Sequence, residues 1–208
     1  MKKNKNIAVL TGDLVASSEI SSDQFSCMNE ELSKYLGNNP FVMLPLKFYR
    51  GDSFQLMVIA EKSAEVALTI QSIILWKAET WARISVGIGT VSKIEPGNVL
   101  QSEGEAFQLS GHQIDTMKDE GRLFKIATNS PRHQPMLDAA FHLADSMISS
   151  WKPGQASTIA MATQCKTQKE MAQRLSVSEP AVSKSLKSVN WPAFETFLKG
   201  YEKTIKLI

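Results

Sequence analysis

Residues 167–189, TQKEMAQRLSVSEPAVSKSLKSV, read as two short helices joined by a tight turn. Thr167 stands at an N-cap, with Glu170 three residues on at the capping-box spacing. Met171, Ala172 and Leu175 recur at helical spacing, and small Ala172 leaves room for a crossing helix. Residues 176–178 break the pattern. Ser178 then caps a second helix, with Pro180 in its first turn, where a missing N–H costs nothing. Val182 and Leu186 face inward from that helix, while Ser183, Lys184, Ser185 and Lys187 occupy its other faces. Hydroxyls and ammonium groups on an outward helix suit a DNA major groove and its flanking phosphates. The pattern therefore points to a helix-turn-helix that binds double-stranded DNA, with Thr167, Ser178, Glu179, Ala181, Ser183, Lys184 and Lys187 as the contact residues. A helical hairpin with a merely solvated basic face is the plainer alternative.

Charge is distributed to match. Residues 157–208 hold eight Lys or Arg against four Glu, a surplus of four positive charges in a chain whose net charge is +2. Residues 1–156 are correspondingly acidic by two. The last helix is expected from Pro192, with Phe194, Phe197, Leu198, Tyr201, Ile205 and Ile208 along one side. That face is broad for a small domain to bury by itself, so it is expected to dock on a preceding helix or on a second subunit.

At 208 residues with 43% hydrophobic content, the chain can fill one large core or two small ones. Cys27 and Cys165 are far apart and lack metal-ligand spacing, and three scattered histidines make zinc improbable. The apolar run after the basic residues 1–5 spans only residues 7–10, too short for an export signal. The longest apolar stretch, 66–76, is interrupted by Thr69, Gln71 and Ser72 and is too short to span a bilayer. A soluble cytoplasmic protein without membrane contact is expected.

Residues 6–14 (NIAVLTGDL) read as a buried strand and 22–36 as a helix with Phe25, Met28, Leu32, Tyr35 and Leu36 at helical spacing. Residues 41–50 and 53–60 read as two strands joined by the pair Gly51-Asp52. Then come a helix over 63–81 with Ala67, Ile70, Ile74 and Trp81 inward, a strand over 82–91, a polar helix over 102–119 and a strand over 123–127. The order βαββαβαβ predicts a mixed sheet with helices packed on it. A linker helix follows, with an apolar stripe of Met136, Ala139, Ala140, Leu143, Ala144 and Met147 ending near Trp151. The fold class expected is α+β, with a domain over 1–128, a linker over 129–154 and an all-α domain over 155–208.

The amino-terminal half carries a second constellation. Asp13 ends the first strand, and Asp52 lies in the hairpin turn. If those elements are adjacent, both carboxylates reach one sheet edge. With the Leu14 carbonyl they would form a site for Mg²⁺ or Mn²⁺ that keeps waters and phosphate oxygens as further ligands. Val15, Ala16, Ser17 and Ser18 follow, and their N–H groups are candidates to hold the phosphates of a nucleotide. Each acid also has a plainer reading, as a turn former or a helix cap. Gly87 and Gly89 are expected to mark close packing or a bulge.

GDLVASSEI, RGDSFQLMV, RISVGIGTV and GEAFQLSGHQID, in that order, resemble the successive motifs of class III nucleotidyl cyclases. Together with a carboxy-terminal helix-turn-helix, the chain is similar to the SatD family of bacterial proteins. The resemblance implies a ferredoxin-like, cyclase-like sheet domain in which Asp13 and Asp52 are metal-binding aspartates. It also implies pairing of two such domains, and hence a homodimer joined through the sheet domain or the last helix. This chain departs from the cyclase pattern at Gln108 and His112, where active cyclases have Asn and Arg. Phe48 stands where a cyclase lysine would contact the base. Phosphoryl transfer needs fixed positive charge around its transition state. No catalytic residue is assigned, and little cyclic nucleotide is expected. The sequence thus favours a DNA-binding transcriptional regulator with a catalytically degenerate sensor or assembly domain. A metal-dependent nucleotidyl cyclase or transferase with a DNA-binding tail is the alternative.

Overall fold

The computed structural model of the protein describes residues 7–208. Asn6, expected to open the first strand, and the basic residues 1–5 lie outside the described residues. The fold is α+β, with one five-stranded mixed sheet and eight α-helices among the described residues.

The strands are β1 (Ile7–Leu14), β2 (Val42–Tyr49), β3 (Ser53–Ile59), β4 (Ala82–Gly89) and β5 (Phe124–Thr128), in spatial order β2-β3-β1-β4-β5. β1 is central and antiparallel to both neighbours, while β4 and β5 run parallel. The predicted order of strands and helices holds. Alternation along β1 explains its two faces. Ala8, Leu10 and Leu14 join the main core, whereas Thr11 faces the other way and meets Ser110 of α3 (Glu105–Met117). Gly12 is required by packing, because a Cβ there would sit 2.4 Å from the Phe54 ring. The hairpin turn has three residues, 50–52, rather than two. Tyr49 pairs with Ser53, and both Arg50 (φ 54°) and Gly51 (φ 92°) are left-handed.

One sheet face is covered by α1 (Ser22–Gly37) and α2 (Ser63–Ala78), the other by α3. α2 stops at Ala78, with Glu79 in a left-handed cap, so Trp81 lies beyond the helix instead of on its inner face. α2 is buried on nearly every side, from Ser63 through Leu75, and not along a single stripe. The reason is α5 (Pro153–Ala162), which packs against its back. The sequence carries no clear helix signal there, since Gly154, Ser157 and Thr158 are weak helix formers. Gly87 lets α3 lie close on β4, since a Cβ there would meet the Ala106 carbonyl at 2.3 Å and the Ser110 nitrogen at 2.5 Å. Gly89 likewise accommodates Glu105.

α4 (Gln134–Ile148) buries Leu137, Phe141, Ala144 and Ile148. This corrects the expected stripe, because Met136, Ala139 and Leu143 are exposed and only Ala144 of that set is buried. The helix is tied down by a shielded ion pair. The Arg122 Nε donates to the Asp145 carboxylate at 2.6 Å, and the Leu123 N–H donates to its other oxygen at 2.9 Å. Losing one member of such a pair strands the other charge and costs about 3–5 kcal/mol.

α6 (Gln168–Leu175) and α7 (Glu179–Ser188) follow, and α8 (Trp191–Ile205) returns to the sheet half. The broad apolar face of α8 docks within the chain. Trp151 stacks edge-on against Phe194, and Phe141 meets both Phe197 and Tyr201. The buried Tyr201 hydroxyl bonds Ser63 and the Ala60 carbonyl, and Lys62 pairs with Glu202 at 3.1 Å. One apolar cluster therefore runs from β1 to Ile205.

Candidate functional site

α6 and α7 are joined by the turn 176–178, in which Ser176 is left-handed (φ 56°) and closes α6. The Thr167 hydroxyl accepts the Glu170 N–H at 3.2 Å, and the Ser178 hydroxyl accepts the Ala181 N–H at 3.4 Å. The Glu170 carboxylate reaches the Lys166 N–H rather than that of Thr167, so the capping box closes one residue early. Met171, Ala172, Val182, Leu186 and Val189 are buried, and α5, α6 and α7 all touch one another. This small core fixes what faces outward. Thr167, Ser178, Glu179, Ala181, Lys184 and Lys187 are exposed. Ser183 is half-buried and, with Thr167, Gln168 and Lys187, lines a shallow groove between α6 and α7.

The acidic pair sits at the other end of the sheet. Asp13 faces Ser53 across β1 and β3, and the Leu14 N–H donates to the Asp52 carbonyl at 3.1 Å. The two acids are neighbours with different partners. Asp13 Oδ2 accepts from Arg83 at 2.9 Å, whereas Asp52 accepts from the Ser17 hydroxyl at 3.0 Å. Burial raises the Asp13 pKa above the usual carboxylate value; Arg83 opposes this, and the Asp52 charge adds to it. Asp13 Oδ1 is buried and has no hydrogen-bond partner. Asp13, Asp52 and the Leu14 carbonyl are the groups at this edge that could hold a divalent cation. Among the described residues, no cluster of three or more His, Cys, Asp or Glu is placed to hold a metal.

Asp52 opens onto a cleft of about 470 Å³ lined by Leu14, Ser17, Ser18, Ile20, Ser22, Phe25, Arg50 and Gly51. The expected phosphate cradle is altered. The Val15 N–H is taken by the Trp81 carbonyl at 2.7 Å, Ala16 is left-handed (φ 49°), and the start of α1 is closed by its own capping box of Ser21 and Gln24. Ser17 and Ser18 remain on the cleft wall. Phe48 packs between Phe25 and Phe54, a structural use of the position where the resemblance implied a base contact. Gln108 and His112 are exposed on α3, across the sheet from α1.

Sequence reasoning missed the polar relay Gln55–Thr11–Ser110, in which the Gln55 amide donates to Thr11 at 3.0 Å and the two hydroxyls lie 2.8 Å apart. The period-2 placement of Thr11 and Gln55 on paired strands was the available signal. Also missed were Ile20, Ser22 and Phe25 as cleft residues, since a loop packing beside a hairpin leaves no local pattern. No helix among the described residues is long and apolar enough to cross a membrane. In comparisons with known proteins, no family model matches the sequence, and no curated protein matches it significantly.

Proposed function

We propose that the chain is a DNA-binding regulator in which α6 and α7 form a helix-turn-helix and α7 enters the major groove. The observation that carries this reading is the outward face of α7. Lys184 and Lys187 stand exposed on a helix whose other face is locked to α5 and α6 and whose start is capped by Ser178. A rigid, capped, basic helix supplies groove fit and phosphate attraction together. Binding to a generic duplex should weaken steeply with salt, log K falling by roughly 0.9 per phosphate neutralised. Fluorescence anisotropy across a salt series measures this slope, and a flat slope would exclude a phosphate-dominated interface.

The sheet half is a cyclase-like domain that senses a ligand or mediates assembly, in line with the resemblance to the SatD family. Asp13 and Asp52, with the Leu14 carbonyl, hold Mg²⁺ or Mn²⁺, and the Ser17–Ser18 cleft takes nucleotide phosphates. The bound ion would supply positive charge beside those phosphates. Arg83 keeps one Asp13 oxygen fixed, and the other, unpartnered oxygen is buried and does not line the cleft. Calorimetric titration with Mn²⁺ should show weak binding that a nucleoside triphosphate tightens and that Asp52→Ala abolishes. Equal binding by wild type and variant would remove the cation from this account. The alternative, a cyclase or transferase with a DNA-binding tail, draws on the same acid pair. It is set aside because Gln108 and His112 give the reaction no fixed positive charge, and a cyclic-nucleotide assay separates the two readings.

A further inference from the structure

The cleft beside Asp52 carries a single basic side chain, and the backbone beneath it is in a conformation that its residue type disfavours. Among the described residues, Arg50 is the only Lys or Arg lining this space of about 470 Å³. Arg50 is left-handed (φ 54°), and Gly51 follows at φ 92°. Consecutive left-handed residues in a tight turn favour Gly, Asn or Asp, because a larger side chain crowds the backbone there. Arg50 is exposed, and it enters no ion pair among the described residues. Arg83, the other guanidinium at this edge, is taken by Asp13 at 2.9 Å. An unpaired guanidinium on a cleft wall, kept at the cost of backbone strain, is placed to meet a ligand and not to shape the turn.

We infer that Arg50 grips a phosphate in this cleft without a metal ion, and that the ligand it fits best is a nucleotide carrying one phosphate. This deepens the nucleotide-sensing reading of the sheet half and rests on it. A guanidinium presents two parallel N–H donors to two oxygens of one phosphate. Ser18 and Ser22 add hydroxyls to the lining, whereas the Ser17 hydroxyl already donates to Asp52 at 3.0 Å. Leu14, Ile20 and Phe25 supply apolar surface for base or sugar, and the volume falls in the range of small-ligand sites. Charge balance then sets the phosphate count. Without an ion, the cleft sets one guanidinium against one carboxylate, that of Asp52. The first phosphate meets Arg50. Each further phosphate adds negative charge with no cation to face it and with Asp52 to repel it. An ion held by Asp52 removes that repulsion, so the preference for one phosphate belongs to the metal-free protein.

Isothermal titration calorimetry of the full chain tests this, with the ribonucleoside monophosphates and triphosphates as probes and EDTA present. At least one monophosphate should bind, and more tightly than its own triphosphate. Arg50→Gly and Arg50→Gln should each weaken that binding at least about tenfold, as expected when a bidentate charged contact is lost. Arg50→Gly should unfold no earlier than wild type, because glycine takes left-handed backbone freely. A role in the turn alone would leave binding unchanged. Asp52→Asn should tighten monophosphate binding in EDTA by removing the repulsion. With Mn²⁺ in place of EDTA, wild type should come to prefer the triphosphate and Asp52→Asn should not. The inference is overturned if no monophosphate binds in EDTA, if the triphosphate binds there as tightly, if either Arg50 variant binds like wild type, or if Asp52→Asn binds no tighter. If the EDTA results hold while Mn²⁺ changes nothing, the ion leaves the proposed function and Arg50 keeps its role.

Discussion

At the scale of single residues, the carboxylates of this chain do different work according to their partners. Glu105, at the first position of α3, accepts the Thr90 N–H at 3.1 Å and the Asn129 amide at 2.9 Å. These donors, the Thr90 N–H foremost, hold its pKa below the ordinary value of 4.5. A carboxyl with a lowered folded pKa stabilises the native state above its unfolded pKa, and that stability is lost as pH falls through the folded value. Glu105→Gln should therefore cost about 0.5–1 kcal/mol near neutral pH, with the gap to wild type closing from roughly pH 5 downward. Urea titrations at several pH values measure this; a gap independent of pH would mean that the charge is irrelevant. Asp13 has the opposite sign. Its raised pKa means that ionisation costs native-state stability, a cost relieved as pH falls through the raised value, and a bound cation would offset it.

At the scale of elements, much was legible in sequence, and the exceptions share a cause. Strand period, turn residues and caps fixed the order βαββαβαβ, the boundaries of β1 and β3 to within a residue, and both caps at Thr167 and Ser178. α4 misled because two apolar arcs lie about 100° apart on it, and helical spacing fits either; only the positions of β5 and α8 decide which is buried. α2 misled for the same reason, since its back is covered by α5, about ninety residues later in the chain. The neighbouring placement of Asp13 and Asp52 was legible from the hairpin, whereas the claim of Arg83 on Asp13 required the register of β1 with β4. Gly87 was legible as a packing residue and yields a firm expectation. Gly87→Ala should destabilise by about 2–3 kcal/mol, because the new methyl would meet α3 backbone and not a yielding side chain. Thermal unfolding reads this, and a loss under 1 kcal/mol would show that α3 shifts freely.

At the scale of the whole molecule, the outward basic helix is rigidly joined to the sheet half. α5 packs on α2, the Thr69 hydroxyl donates to Thr163 at 2.8 Å, and α8 returns to bury Tyr201 against Ser63 and the Ala60 carbonyl. The cleft half and the α7 half therefore share one packed core, and the function proposed for the chain stands on α7 contacting DNA. The most direct measurement is the affinity of wild type and of Lys184→Glu/Lys187→Glu for the same duplex at fixed salt. Both lysines are exposed, so the variant should fold as wild type does. The expected result is a loss of at least ~100-fold with a shallower salt slope, since two phosphate attractions become repulsions. A folded variant that binds DNA as tightly as wild type would contradict the account.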